Sequence, residues 1–226
     1  MKKQVSLIFM VCGLLFTVCL ITANIVSQKL IRVYGFDLTA GVIIFPLVYV
    51  LNDIIAEVWG YRKMRLIIWM GFMMNFFVIF IFRLTIWAPS SPHFIYQNSL
   101  TLTLLTTERF TVASFIAFLI GSFINAYVMS KMKIRQHGRN FGLRAIVSTI
   151  LGEGADSFIF LTIALAGHIR HHHLIVMIFT QIAFKTAYEI IVLPLTTYLV
   201  KRIKKHEHTD IIDHEISYNP FKVKEV

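Results

Sequence analysis

Blocks of about 20 apolar residues, the length one helical bilayer crossing needs, recur along this 226-residue chain with only short polar stretches between them. The blocks predict six spans at 5–27, 38–59, 66–87, 111–131, 145–167 and 174–200. Residues 1–200 then form one all-α transmembrane domain, and 201–226 a polar cytoplasmic tail without a core-forming pattern, read as a solvated extension. Composition agrees: 57% of residues are hydrophobic and 15% charged, against roughly half and a quarter in a soluble domain. A membrane β-barrel would alternate apolar and polar positions over segments of about ten residues. Runs such as 66–82 are apolar on both parities, which excludes it.

Met1-Lys2-Lys3 before an apolar run also fits a secretion signal. The run is long enough to span, however, and no small-residue cleavage pattern follows, so it is read as a retained helix. Cys12 and Cys19 lie about 10 Å apart along that helix by its rise, too far for a disulfide.

The net charge of +10 is a topology signal rather than a sign of nucleic-acid binding. Of 22 Lys and Arg, 16 fall at the N-terminus, at residues 62–65, at 131–144 and in the tail. With six spans these places share one side. The other side holds Lys29, Arg32, Arg83, Arg109 and Arg170, and Lys185 lies inside a span. The positive-inside rule then puts both termini in the cytoplasm. The outer segment 88–110 is expected to lie at the interface or cap the bundle. His168 and His171–His173 are read as a solvated loop, because adjacent histidines cannot converge on one metal ion; no metal or cofactor is expected.

Six spans also divide into two three-helix halves of opposite sense, the plan of inverted-repeat transporters. Pro46 in the second span, and Gly152 with Gly154 in the fifth, suggest an interrupted middle helix in each half.

Ionisable residues inside the spans carry the functional signal: Asp53, Glu57, Glu153, Asp156, Lys185 and Glu189, with Asn24, Asn52, Asn75, Asn125 and Gln181 among them. Each charge facing lipid at the bilayer centre costs about 2.5–3.5 kcal/mol, so all six should face the bundle interior or a watery cavity. Asp53 with Glu57 (i,i+4) and Glu153 with Asp156 (i,i+3) share helix faces, and Gln181, Lys185 and Glu189 form one stripe. Asn75 and Asn125 suit interhelical hydrogen bonding. Five acids face one base, so pairing alone leaves carboxylates that must hold a proton or await a ligand or cation.

These residues also carry a resemblance. Phe45-Pro46-Leu47, then Asn52-Asp53-Ile54-Ile55-Ala56-Glu57-Val58-Trp59-Gly60, then Arg144 and Gly152-Glu153-Gly154-Ala155-Asp156-Ser157-Phe158-Ile159-Phe160, and finally Lys185, Tyr188-Glu189 and Pro194, occur in order. With Ala23-Asn24-Ile25 and Lys29 ahead of them, the set resembles the queuosine precursor transporter family, also called the vitamin uptake transporter family. Trp59 stands where the family motif carries Tyr. The resemblance implies a six-helix bacterial inner-membrane importer of 7-cyano- and 7-aminomethyl-7-deazaguanine for tRNA queuosine salvage. It implies substrate binding by Asp156, Glu153, Asp53, Lys185, Glu189, Asn52 and Glu57.

The chemistry suits a nucleobase-like ligand. One carboxylate accepts a ring N–H and an exocyclic NH₂ together, Lys185 donates to a carbonyl, and Phe158, Phe160, Phe184 or Tyr188 stacks on the ring. Two other functions stay open: the substrate-capturing subunit of a partner-energised importer, and an intramembrane aspartyl protease built on Asp53 and Asp156. Homo-oligomerisation also stays open; beyond a small molecule and the bilayer, no nucleic-acid partner is expected.

Overall fold

A computed structural model describes residues 6–165, 167, 170–213 and 216–222, apart from the side chains of 106–109 and 111. Lys2, Lys3, the expected span start at Val5, His168 and Lys224 lie outside the described residues, as does the side chain of Arg109. Five long helices dominate: α1 (Leu7–Val26), α2 (Phe45–Trp87), α3 (Gln97–Arg135), α4 (Phe141–Leu165) and α5 (His171–Glu207). All five are long and apolar enough to cross a membrane.

The segment after α1 is not helical at first. Strands β1 (Leu30–Val33) and β2 (Phe36–Thr39) pair antiparallel, with Leu30 opposite Thr39. Tyr34 and Gly35 take positive φ in the two-residue turn, as a tight hairpin requires. A short 3₁₀ turn, Ala40–Ile43, leads into α2. The second helix therefore starts at Phe45 rather than 38, and Pro46 occupies its first turn. There a missing N–H costs nothing, so Pro46 begins the helix instead of interrupting it.

The interruption lies at Gly60. A straight 43-residue α2 would be about 64 Å long, twice a bilayer core. Gly60 leaves helical geometry at φ 82°, ψ 170°, a region open essentially to glycine alone. The two arms, 45–59 and 61–87, run in opposite senses. Tyr49 of the first arm reaches Gly152 and Glu57 reaches Lys204, so this arm runs from the hairpin toward the end of α5. The second arm returns alongside α1, with Gly71 beside Phe16 and Leu20, and Asn75 accepting from Asn24 Nδ2 at 2.9 Å. Ser6 Oγ, capping α1, donates to Glu207 Oε1 of α5 at 2.6 Å. The first and last helices thus meet at one end of the bundle, called here the terminus end; the hairpin marks the other.

Neither glycine of α4 breaks it. Gly152 instead permits a close approach to α3: a Cβ there would lie 2.8 Å from the Gly121 carbonyl and 2.7 Å from Asn125 Cβ. Small residues let membrane helices pack backbone to backbone in this way. α3 also starts earlier than expected, at Gln97, so the amphipathic part of 88–110 is its first turns rather than a separate cap. His171–His173 open α5 rather than lying in a loop.

The tail is docked rather than solvated. After Glu207 the chain folds across the terminus end, where Asp213 Oδ2 accepts from the Tyr61 N–H and from Ser130 Oγ, both at 2.8 Å. Arg65 donates to the Ser217 and Asn219 carbonyls, and Trp69 Nε1 to that of Pro220. The tail's carbonyls and acids meet the Tyr61 N–H beside the break and side-chain donors of Arg65, Trp69 and Ser130, a match invisible to hydropathy. Burial pushes the Asp210 carboxyl up, but hydrogen bonds from Lys133 and Lys204 outweigh this and hold it below its ordinary value.

Candidate functional site

The buried ionisable residues fall into three layers, each about one helical turn apart, or roughly 5–6 Å. The layer nearest the hairpin is a narrow, closely packed cleft. Asp156 of α4 and Lys185 of α5 face each other in it, Nζ to Oδ2 at 2.9 Å, and both side chains are almost fully buried. Lys185 also sits over the Phe45 ring at 4.6 Å and near Tyr49 at 6.0 Å. Phe160, one turn beyond Asp156, Gln181, one turn before Lys185, and Ser114 of α3 complete the wall, with Thr39 and Gly41 at the hairpin side. The Gln181 carbonyl oxygen has no hydrogen-bond partner.

One turn toward the terminus end lie Asp53, Glu153 and Glu189, each buried to within 1%. They stand near enough to interact electrostatically, Glu189 with both others and Glu153 with Asp53. No base pairs with any of them among the described ion pairs, and their carboxylate oxygens lack full hydrogen bonds. The Asn125 amide is turned toward Asp53. Asn52 donates instead to the Ser122 carbonyl, at 3.4 Å, and its own oxygen is unpartnered.

A further turn along α2, Glu57 closes the terminus end. Arg144 Nη2 donates to its Oε2 at 2.8 Å, Lys204 binds Oε1, and Lys133 stands 3.6 Å away. Lys133 also donates to the Glu57 carbonyl at 2.6 Å and to Asp210 and the Ile211 carbonyl, both at 2.7 Å. Arg144 is further held by the Arg139 carbonyl. Glu57 is thus saturated by three bases, two turns from the cleft.

The structure therefore brings Asp156 and Lys185 together as a pair, sets Asp53, Glu153 and Glu189 one layer on, and separates Glu57 from the cleft. The count of five acids to one base changes accordingly, since Arg144, Lys133 and Lys204 serve Glu57. Among the stacking candidates, Phe160 lines the cleft, whereas Phe158 is 59% exposed and Phe184 39% exposed on outward faces. Tyr188 is half-buried and outside the cleft wall. Phe45 and Tyr49 are the aromatic residues that the spacing argument missed; their one signal was a place four residues apart on the face that continues to Asp53. Among the described residues no cluster of metal-ligating side chains occurs, and the His172 and His173 rings stack on each other.

The family model described as "Putative vitamin uptake transporter" matches residues 39–200. A "Probable queuosine precursor transporter" of Bacillus subtilis (strain 168) is 27% identical over 153 residues, 67% of this chain and 65% of that protein. The "Queuosine precursor transporter" of Escherichia coli (strain K12) is 24% identical over 151 residues, 66% of each. The match spans just under two thirds of the length of both relatives. No solved structure matches. Family and relatives alike are transporters, which leaves no place for the aspartyl protease alternative.

Proposed function

The chain belongs to the vitamin uptake transporter family, and from that premise we propose that it imports a queuosine precursor, a 7-deazaguanine base, across the bacterial inner membrane. The observation that carries the reading is the buried Asp156–Lys185 pair in a cleft walled by Phe45, Phe160 and Gln181. A 7-deazaguanine presents a ring N–H beside an exocyclic NH₂, and a carboxylate accepts both in a charge-assisted fork. Asp156 takes this role once the ligand displaces Lys185, and the freed ammonium donates to the ring carbonyl. Gln181 offers an unsatisfied acceptor to a remaining N–H. Stacking on Phe45 or Phe160 adds about 1–3 kcal/mol for an aromatic base.

The same proposal includes six crossings, arranged as two three-helix halves of opposite sense, with both termini cytoplasmic. Its support is the opposed course of the two arms of α2, the meeting of Ser6 with Glu207, and the basic residues gathered at that end. Asp156→Asn and Lys185→Ala are expected to abolish uptake of labelled 7-cyano- and 7-aminomethyl-7-deazaguanine in cells while membrane levels stay normal. Wild-type uptake in both variants removes the site. Purified protein in liposomes should suffice for transport; binding without uptake there points to a partner-energised importer instead.

A further inference from the structure

We infer that Asp53, Glu153 and Glu189 form a proton-binding layer through which precursor transport is coupled to proton movement. The inference rests on the transport reading but assigns this layer a ligand of its own.

Position is the first argument. Asp53 follows Tyr49 by four residues, Glu153 precedes Asp156 by three, and Glu189 follows Lys185 by four. Glu153 and Glu189 therefore lie one turn beyond a residue lining the cleft, and Asp53 one turn beyond Tyr49, whose ring stands 6.0 Å from Lys185, each on the same helix face. Glu57 lies one turn beyond Asp53 and is held by Arg144, Lys133 and Lys204. The layer thus separates the substrate cleft from the ion cluster that closes the terminus end, where a coupling site must sit.

The inventory of partners is the second. From α2 the layer is faced by Tyr49 and Glu57, from α4 by Asp156, and from α5 by Lys185. Lys185 is the only base among these, and it is committed to Asp156. From α3 the layer is faced by a fully buried amide, Asn125, which turns toward Asp53 without closing a full hydrogen bond. The Asn52 oxygen and the Thr149 hydroxyl, both buried, are likewise unpartnered. Three carboxylates and several neutral dipoles in a water-poor interior need positive charge from outside the chain. Among the described residues no three of the acids converge as one metal ion requires. Protons, taken one per carboxylate, meet the need without convergence.

The step itself is simple. A carboxylate oxygen takes a proton from a hydronium ion reaching it from the cleft side, one O–H bond forming as the hydronium's breaks, and returns it to a water molecule when the Glu57 cluster opens. Substrate in the cleft and protons in the layer one turn away enter from the same side and leave at the terminus end, so an inward proton gradient drives the substrate inward.

Two measurements test this. In liposomes of the purified full-length protein, an inward proton gradient should drive labelled 7-aminomethyl-7-deazaguanine above its equilibrium level. Asp53→Asn, Glu153→Gln and Glu189→Gln should bring the ratio of uptake with and without the gradient to one. An undiminished ratio in all three variants, or stimulation by a sodium gradient at clamped pH in place of the proton gradient, overturns the inference. Infrared spectroscopy of the detergent-solubilised protein needs no substrate and no transport. It should show the C=O stretch of a protonated carboxyl at neutral pH, reduced in each variant that elutes as a folded species. If wild type takes up neither precursor, the substrate reading fails by itself; the carboxyl band then decides the inference, its presence upholding the layer and its absence overturning it.

Discussion

At the residue scale, Glu57 shows how a buried acid serves structure. Its two oxygens are shared among Arg144, Lys204 and Lys133, and Arg144 and Lys133 are themselves buried. Removing one partner of a buried ion cluster leaves uncompensated charge, at about 3–5 kcal/mol. Glu57→Ala should therefore lower the thermal midpoint of the detergent-solubilised protein sharply, as read by loss of its size-exclusion peak on heating. Lys185→Ala is the informative contrast, because its loss leaves one more buried carboxylate that a proton can neutralise. It should cost less stability and more transport. Equal midpoints for Glu57→Ala and wild type would mean that the cluster closes nothing.

At the element scale, the break in α2 and the tail docked on it are one device. Gly60 holds φ 82°, and a Cβ there would stand 2.8 Å from Asp213 Oδ1 and 3.0 Å from Ile211 Cγ2. Gly60→Ala meets both backbone strain, of order 1–3 kcal/mol, and a clash with the segment that accepts the Tyr61 N–H. The expected result is a protein that still inserts but whose residues 208–213 and 216–222 lose protection in hydrogen exchange. Unchanged protection would show that the tail docks independently of the break. Tyr218, packed on Tyr61 and Tyr127 and under Lys131, is the aromatic anchor of that docking, and burial pushes its phenol above the ordinary value.

At the scale of the whole molecule, the course of the chain makes a topological prediction. With six crossings, Arg139→Cys and Thr209→Cys in a cysteine-free background should react with an impermeant thiol reagent from one side of the membrane. Tyr34→Cys, at the 99% exposed tip of the hairpin, should react from the other. Labelling of all three from one side would contradict the opposed arms of α2. Removing Cys12 and Cys19 is a small perturbation, since neither is paired.

Much of this was legible in the sequence, and for a definite reason. Hydropathy reports the bilayer requirement directly, so the helical blocks and the inward-facing acids follow from local composition. Helical spacing placed Asp53 with Glu57, Glu153 with Asp156, and Gln181 with Lys185 and Glu189, because faces repeat every 3.6 residues. What spacing along one helix cannot determine is which helix stands opposite. Only the tertiary structure decided that Lys185 answers Asp156 and that three bases from α3, α4 and α5 converge on Glu57. It also decided that Phe45, not Phe158, walls the cleft, and that a tail poor in apolar residues docks through carbonyls and acids. Those outcomes depend on distance across the bundle, where a hydrogen bond or ion pair is made or lost within an ångström, and no local pattern encodes that distance.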